Sequence, residues 1–168
     1  TGKHGTISLE LGLAKSCNSV YIDLGLQLGT ERLYEHIREF GFGEKTNVDF
    51  PSEASGILID ESKVKEGDLA RIAFGQSITA TPLQTLTAFC SIINGGELLE
   101  PHLLKTVKDA DGNTIEQKER TVVRRTISES TSKTMREMME KTILEGTGTR
   151  AKVSGYRIGG KSGTAQKY

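Results

Sequence analysis

The stretch GYRIGGKSGTAQK, Gly155 to Lys167, carries two readings, and the choice between them sets the fold. Its first eight residues satisfy the phosphate-loop pattern G-x-x-x-x-G-K-S letter by letter. Such a loop works because backbone N–H groups converge on phosphates from a tight turn that follows a buried strand and opens a helix, with Lys as counter-charge. The flanks supply neither element. Upstream, RAKVSG offers one Val and no apolar run for a central parallel strand. Downstream, Gly163 follows the Ser at once, and Thr164 to Tyr168 form no apolar helical period.

With a period of two, Tyr156 to Gln166 reads instead as a Gly-rich strand. Its small residues admit another backbone or a ligand, while Lys161, Ser162 and Thr164 present polar groups. Backbone donors and acceptors in such a strand need a neighbour, so its sheet partners are expected outside these residues. Nucleotide binding remains as a remote alternative, to be revived only by magnesium-dependent ATP binding.

At 168 residues the chain is one domain's worth, able to bury roughly 70% of its unfolded surface if it folds alone. Lys plus Arg and Asp plus Glu balance at 22 each, which removes any global electrostatic reason to expect nucleic acid or an anionic membrane as partner. Five Phe, four Tyr and no Trp against 19 Gly predict an aliphatic core with glycine-made turns. Cys17 and Cys90 have no metal-like spacing, so neither a metal nor a cofactor is expected, and a single disulfide between them is left open. His4, His36 and His102 share no motif. The first residue is Thr, not Met, and no leader or membrane run is present, so the sequence reads as a piece of a longer protein.

Working upstream, Ser8 is placed to cap a short helix through Leu9 to Ala14, Ser16-Cys17-Asn18 breaks the run, and a second helix resumes from Val20 to Gly29. Thr30 then caps ERLYEHIREF, which Gly41 closes. Residues 42–65 turn to Gly, Ser, Pro and acidic residues and predict a long ordered surface connection. Thr81, Pro82 and Gly95 bracket the most apolar helix, and Ser128 caps another in which Met135, Met138, Met139 and Ile143 fill a core face. Between them, residues 101–125 read as a charged hairpin turned at Asp111-Gly112.

S-x-N followed much later by Lys-Ser-Gly-Thr resembles the second and third motifs of the penicillin-recognising acyl-serine transferases. Three longer blocks sharpen the resemblance to the transpeptidase domain of class B penicillin-binding proteins. They are GLAKSCNSVYIDLGLQLG (Gly12–Gly29), FGFGEKTNVDFPSEASGIL (Phe40–Leu58) and IAFGQSITATPLQ (Ile72–Gln84). The resemblance implies an α+β, mostly helical part of the β-lactamase-like transpeptidase fold, spanning residues 1–168 with the hairpin at about 101–125 and the KSGT strand at about 156–167. A β-lactamase is less favoured, because Cys17 stands where the commonest such enzymes carry Asp.

The family's first motif, S-x-x-K, holds the nucleophilic Ser and its Lys base and precedes the S-x-N. None occurs before Ser16, and Ser130-Thr-Ser-Lys133 follows it at a helix entry and reads as a decoy. The implied chemistry is acyl transfer from D-Ala-D-Ala stem peptides of peptidoglycan through an acyl-serine, with β-lactams as mimics. These residues alone are then expected to be inactive. By the same resemblance Ser16 relays a proton toward the leaving amine, Asn18 orients the substrate backbone, and Lys161 supplies positive potential and polarises Ser16. Ser162 binds the terminal carboxylate, Gly163 stays small, and the Thr164 N–H completes the oxyanion hole, a donor worth about 3 kcal/mol. Gln76 and the TPLQ helix read as scaffold. A non-catalytic penicillin-binding or sensor domain is the alternative. The resemblance also implies a membrane-anchored parent on the extracytoplasmic face, acting with cell-wall synthesis, division or sporulation proteins. The exposed strand suggests self-association.

Overall fold

Five helices and two small antiparallel sheets make up the computed structural model, which describes residues 4–165. Ser8 opens α1 (Leu9–Ala14), its hydroxyl accepting from the Leu11 N–H at 3.2 Å. α2 (Asn18–Glu39) starts after three intervening residues and is kinked at Gly29, whose φ of 77° and ψ of 169° leave helical space at the position where the sequence asks for a stop. Both α1 and the end of α2 close in the same way. After α2, the Gly41 and Phe42 N–H groups donate to the Arg38 and Ile37 carbonyls at 2.9 and 3.1 Å, with Gly41 at φ 84°. After α1, the Ser16 and Cys17 N–H groups donate to the Leu13 and Gly12 carbonyls at 3.1 and 2.9 Å, with Ser16 at φ 52°. This left-handed ending favours glycine, so Ser at position 16 holds a backbone that costs a β-carbon about 1–2 kcal/mol.

Residues 66–73 form α3 (Glu66–Ala73), opened by the Asp68 carboxylate accepting from the Lys65 N–H. It lies on α2 so closely that a β-carbon at Gly25 would stand 2.4 Å from that of Ala73. The apolar helix α4 (Pro82–Ile93) has the expected Thr81 cap and Pro82 start, with Gln84 completing a reciprocal capping pair. α5 (Glu129–Glu145) is capped by Ser128 and buries Met139 and Ile143. The core is aliphatic, as composition requires: Leu13, Ala14, Leu69, Ile72, Ala88, Leu98, Met139 and Ile143, with Tyr34 the one buried aromatic among the described residues.

The long connection after α2 is held from beneath by two buried polar side chains. Tyr34 donates its hydroxyl to the Ile59 carbonyl at 2.9 Å, and Gln84, 1% exposed, donates to the Glu44 and Ser55 carbonyls at 2.6 and 2.8 Å. Asp49 ties the same segment outward by accepting from the Leu103 and Leu104 N–H groups at 2.6 and 3.0 Å.

The 101–125 ribbon divides between two sheets. β2 (Thr106–Lys108) and β3 (Thr114–Gln117) form the hairpin around the Asp111-Gly112 turn, while β4 (Val122–Arg125) leaves it to pair with β1 (Glu97–Leu99). Arg124 fixes that choice by donating to the Glu39 and Arg38 carbonyls at the end of α2, at 2.8 and 2.7 Å. The strand expected over 156–167 is not formed in the described part, 156–165. Among the described residues no strand lies beside it, and the Gly160 N–H bonds to the Met139 carbonyl of α5 instead. Gln166 and Lys167 fall outside the described residues. Cys17 and Cys90 are both free thiols.

Candidate active site

Two helices meeting at Ser16 create a corner, and the corner aims three consecutive residues differently. Ser16 is the left-handed residue that ends α1, Cys17 is the N-cap of α2 without a side-chain cap bond, and Asn18 is the first residue of α2. The Ser16 hydroxyl is met by Lys161, whose Nζ donates to it at 2.7 Å and also to the carbonyl of Ser162 at 2.9 Å. A second contact runs beside it, with the Ser162 and Thr147 hydroxyls 3.0 Å apart. Thr147 in turn is fixed by its N–H, which donates at 3.0 Å to the carbonyl of Ala14, two residues before Ser16.

That last tie depends on glycine. Gly146 brings the end of α5 against the end of α1, where a β-carbon would stand 2.1 Å from the Ala14 carbonyl oxygen. The Gly146 and Gly148 N–H groups both donate to the Thr142 carbonyl at 3.1 Å, closing a tight turn with Thr147 at its apex.

These groups open onto one cavity of about 1390 Å³. Ser16, Asn18, Lys161, Ser162, Gly163 and Thr164, the six residues singled out in the sequence, all line it. Gln76 lines it too and donates to the Thr164 carbonyl at 3.3 Å, holding the 161–165 segment where it has no strand partner. Three lining residues carried no signal in sequence: Thr147, Tyr21 and Arg71. The Tyr21 hydroxyl is buried without a hydrogen-bond partner among the described residues, and burial followed by the nearby Cys17 raises its pKa. Arg71 donates to Ser77 at 3.3 Å and pairs with Asp68.

The electrostatics of the cavity have one sign. Among the described residues, Lys161 and Arg71 line it and no Asp or Glu does. None of the ion pairs among the described residues involves Lys161, and burial pulls its pKa below the ordinary 10.5. An unpaired, partly desolvated ammonium beside two hydroxyls suits an anionic ligand and a polarised serine.

The two strings that imitate an S-x-x-K motif lie away from this cavity. Ser130 and Lys133 are exposed on the first turn of α5, where Ser130 contacts the capping Ser128 hydroxyl at 2.9 Å. Ser62-Lys-Val-Lys65 also fits the letters, but the Ser62 hydroxyl donates to Asp60 at 2.7 Å on the rim of a separate groove. The phosphate-loop alternative fails on its context: Gly155 follows a turn, not a strand, and no helix follows Ser162 within the described residues.

The S-x-N and Lys-Ser-Gly-Thr residues thus line one cavity, in the pairing that resembles the acyl-serine transferases, and sequence comparison gives the family. The profile of the penicillin binding protein transpeptidase domain matches residues 1–168, and the chain belongs to that family. It is 40% identical over 167 residues to stage V sporulation protein D of Bacillus subtilis, covering 99% of this chain and 26% of that protein. It is 35% identical over 160 residues to the penicillin-binding protein PbpB of Mycolicibacterium smegmatis, covering 91% and 24%. The chain thus spans about a quarter of the length of these relatives.

Solved structures agree on the fold. The D,D-transpeptidase domain of a peptidoglycan glycosyltransferase from Eggerthella lenta superposes with a TM-score of 0.91 at 25% identity, over 99% of this chain and 44% of that one. Penicillin binding protein 3 of Mycobacterium tuberculosis, in complex with ampicillin, gives 0.90 at 30% identity over 99% and 39%. The α+β reading of a partial transpeptidase fold holds.

Proposed function

We propose that these residues form the S-x-N and Lys-Ser-Gly-Thr half of a peptidoglycan D,D-transpeptidase site, whose nucleophilic Ser and Lys base are supplied by an S-x-x-K motif outside them. The observation that carries the reading is the 2.7 Å contact between Lys161 and Ser16 in a cavity lined by cations and free of acidic side chains. The acyl donor is a stem peptide ending in D-Ala-D-Ala, with β-lactams as its mimics; the Mycobacterium tuberculosis relative is known in complex with one, ampicillin.

Each residue then acts from where it lies. The Lys161 ammonium donates to Ser16 Oγ, which leaves the Ser16 proton directed away, toward the amine expelled when the acyl-serine forms. Ser16 is reprotonated by the Lys base of the S-x-x-K motif, which takes the proton of the attacking Ser, so Lys161 keeps its charge throughout. The same charge attracts the terminal carboxylate, which accepts from the Ser162 hydroxyl. Asn18, at the first turn of α2, presents its amide to the substrate backbone, and Gly163 leaves room for that backbone to lie along the segment. The Thr164 N–H meets the developing oxyanion, in a segment that Gln76 secures through the next peptide carbonyl.

No helix among the described residues is long and apolar enough to cross a membrane. The work proposed lies on the extracytoplasmic face, with a membrane anchor outside these residues and with partners in cell-wall synthesis, division or sporulation. The name of the Bacillus subtilis relative supports the sporulation setting.

Fluorescent penicillin incubated with the full-length protein tests the reading by intact mass. A single covalent adduct is expected on a serine outside these residues, and Lys161→Ala slows its formation. Absence of any adduct favours a non-catalytic domain of the same fold, and an adduct mapping to Ser130 or Cys17 refutes the assignment of the nucleophile.

A further inference from the structure

We propose that Thr147 is a positioning residue for substrate capture, setting the Ser162 hydroxyl so that its proton points into the cavity. The inference rests on the transpeptidase reading and deepens it. Ser162 has one proton, and to hold a carboxylate it must spend that proton on the ligand, so its own oxygen must accept from elsewhere. Two donors lie near it. Lys161 Nζ is 3.5 Å from Ser162 Oγ, at the limit of a hydrogen bond, and is engaged more closely by Ser16 and by the Ser162 carbonyl. The Thr147 hydroxyl, at 3.0 Å, is the better placed donor.

The structure gives Thr147 no competing acceptor among the described residues, so its proton is available to Ser162. Its backbone is held on both sides. The Thr147 N–H is anchored on Ala14, and the two flanking glycines share the Thr142 carbonyl. The apex of that turn is therefore a fixed post, tied to the same helix end that presents Ser16. Ser16, Lys161, Ser162, Thr147 and Ala14 form a closed ring of contacts in which the proton-relay hydroxyl and the carboxylate-binding hydroxyl share one mechanical base.

A positioning role acts on capture more than on chemistry. With the full-length protein, acylation by a penicillin is resolved into the dissociation constant of the non-covalent complex and the first-order acylation rate constant. Thr147→Val keeps the shape and removes the hydroxyl, and Thr147→Ser returns it. The expected result is a dissociation constant about ten-fold weaker in Thr147→Val with the rate constant within about two-fold of wild type, and recovery in Thr147→Ser. Thermal stability of both variants should match wild type, since the side chain is exposed. The inference is overturned if Thr147→Val matches wild type in both constants, if the rate constant falls as far as the affinity, or if Thr147→Ser does not recover. A wild-type protein that is not acylated at all overturns the underlying reading and this inference with it. An acylated wild type with an indifferent Thr147→Val overturns the inference alone.

Discussion

Lys161 Nζ stands 2.7 Å from Ser16 Oγ although 145 positions separate the two residues. The hydrogen bond joins a charged donor to a hydroxyl in a partly buried place, where such contacts are worth about 1.5–3 kcal/mol. Lys161→Met, which keeps the stem and removes the charge, should slow β-lactam acylation of the full-length protein by about 10- to 100-fold, read from stopped-flow or mass-resolved time courses.

The same lysine sets an alkaline limit. Because burial lowers its pKa below 10.5, the folded protein loses this proton at a pH where the unfolded chain still holds it. Acylation that needs the ammonium should therefore fall on the alkaline side with a midpoint below 10.5, and Lys161→Met should flatten that limb. Stability moves the opposite way. Between the folded and unfolded values the unfolded state binds more protons, so this group's contribution to folding becomes more favourable as pH rises. A midpoint at or above 10.5 in the rate profile would contradict the assignment.

Ser16 separates backbone from chemistry. At φ 52° it occupies a position where glycine is at ease and a β-carbon is not. Ser16→Gly should be more stable than Ser16→Ala by about 1 kcal/mol, while both lose the hydroxyl and cut acylation by about 100-fold or more. Chemical denaturation of the pair, beside their acylation rates, checks both halves of the statement.

The surface connection over 42–65 depends on a side chain beneath it. Gln84→Leu removes the amide that meets the Glu44 and Ser55 carbonyls and the oxygen that accepts from the Thr81 N–H. Buried carbonyls left without a donor should cost about 2–4 kcal/mol in urea unfolding, with hydrogen exchange rising first across the connection itself.

Asp49 supplies a pH-dependent tie to the same connection. Backbone hydrogen bonds from Leu103 and then Leu104 hold its carboxyl below the usual 3.8. A carboxylate with a lowered value contributes stability above the unfolded pKa and loses it as pH falls through the folded one. Asp49→Asn should therefore unfold at a lower temperature than wild type near neutral pH, and the two melting curves should converge in acid as pH falls through the lowered value of the folded protein.

What could be read from the sequence was what short stretches decide for themselves. Caps at Ser8, Thr81 and Ser128 and the stop at Gly41 are set by neighbours within a turn and stand where expected, whereas Gly29 kinks α2 and Asn18, read as part of the break, already belongs to it. The pairing of β4 with β1 was not legible, because Arg124 chooses it by reaching the end of α2. Residues 156–165 alternate like a strand, yet alternation cannot supply a partner, and side chains from Ser16, Gln76 and Thr147 hold them instead. Thr147 was invisible for a related reason: its significance comes from two helix ends meeting, and only the pair of glycines around it hinted at close approach. Arg71 was passed over because no cap signal marks residues 66–73 as a helix, still less as one that borders a cavity.

The ring through Ser16, Lys161, Ser162, Thr147 and Ala14 also fixes an order of events during synthesis. The corner at Ser16 can form as soon as its own helices do, whereas Lys161 leaves the ribosome 145 residues later, several seconds at ordinary elongation rates. The cavity is therefore electrically unfinished for most of translation and gains its central cation only when α5 has docked on α1. A nascent chain halted anywhere between would carry the Ser16 hydroxyl without the Lys161 charge beside it.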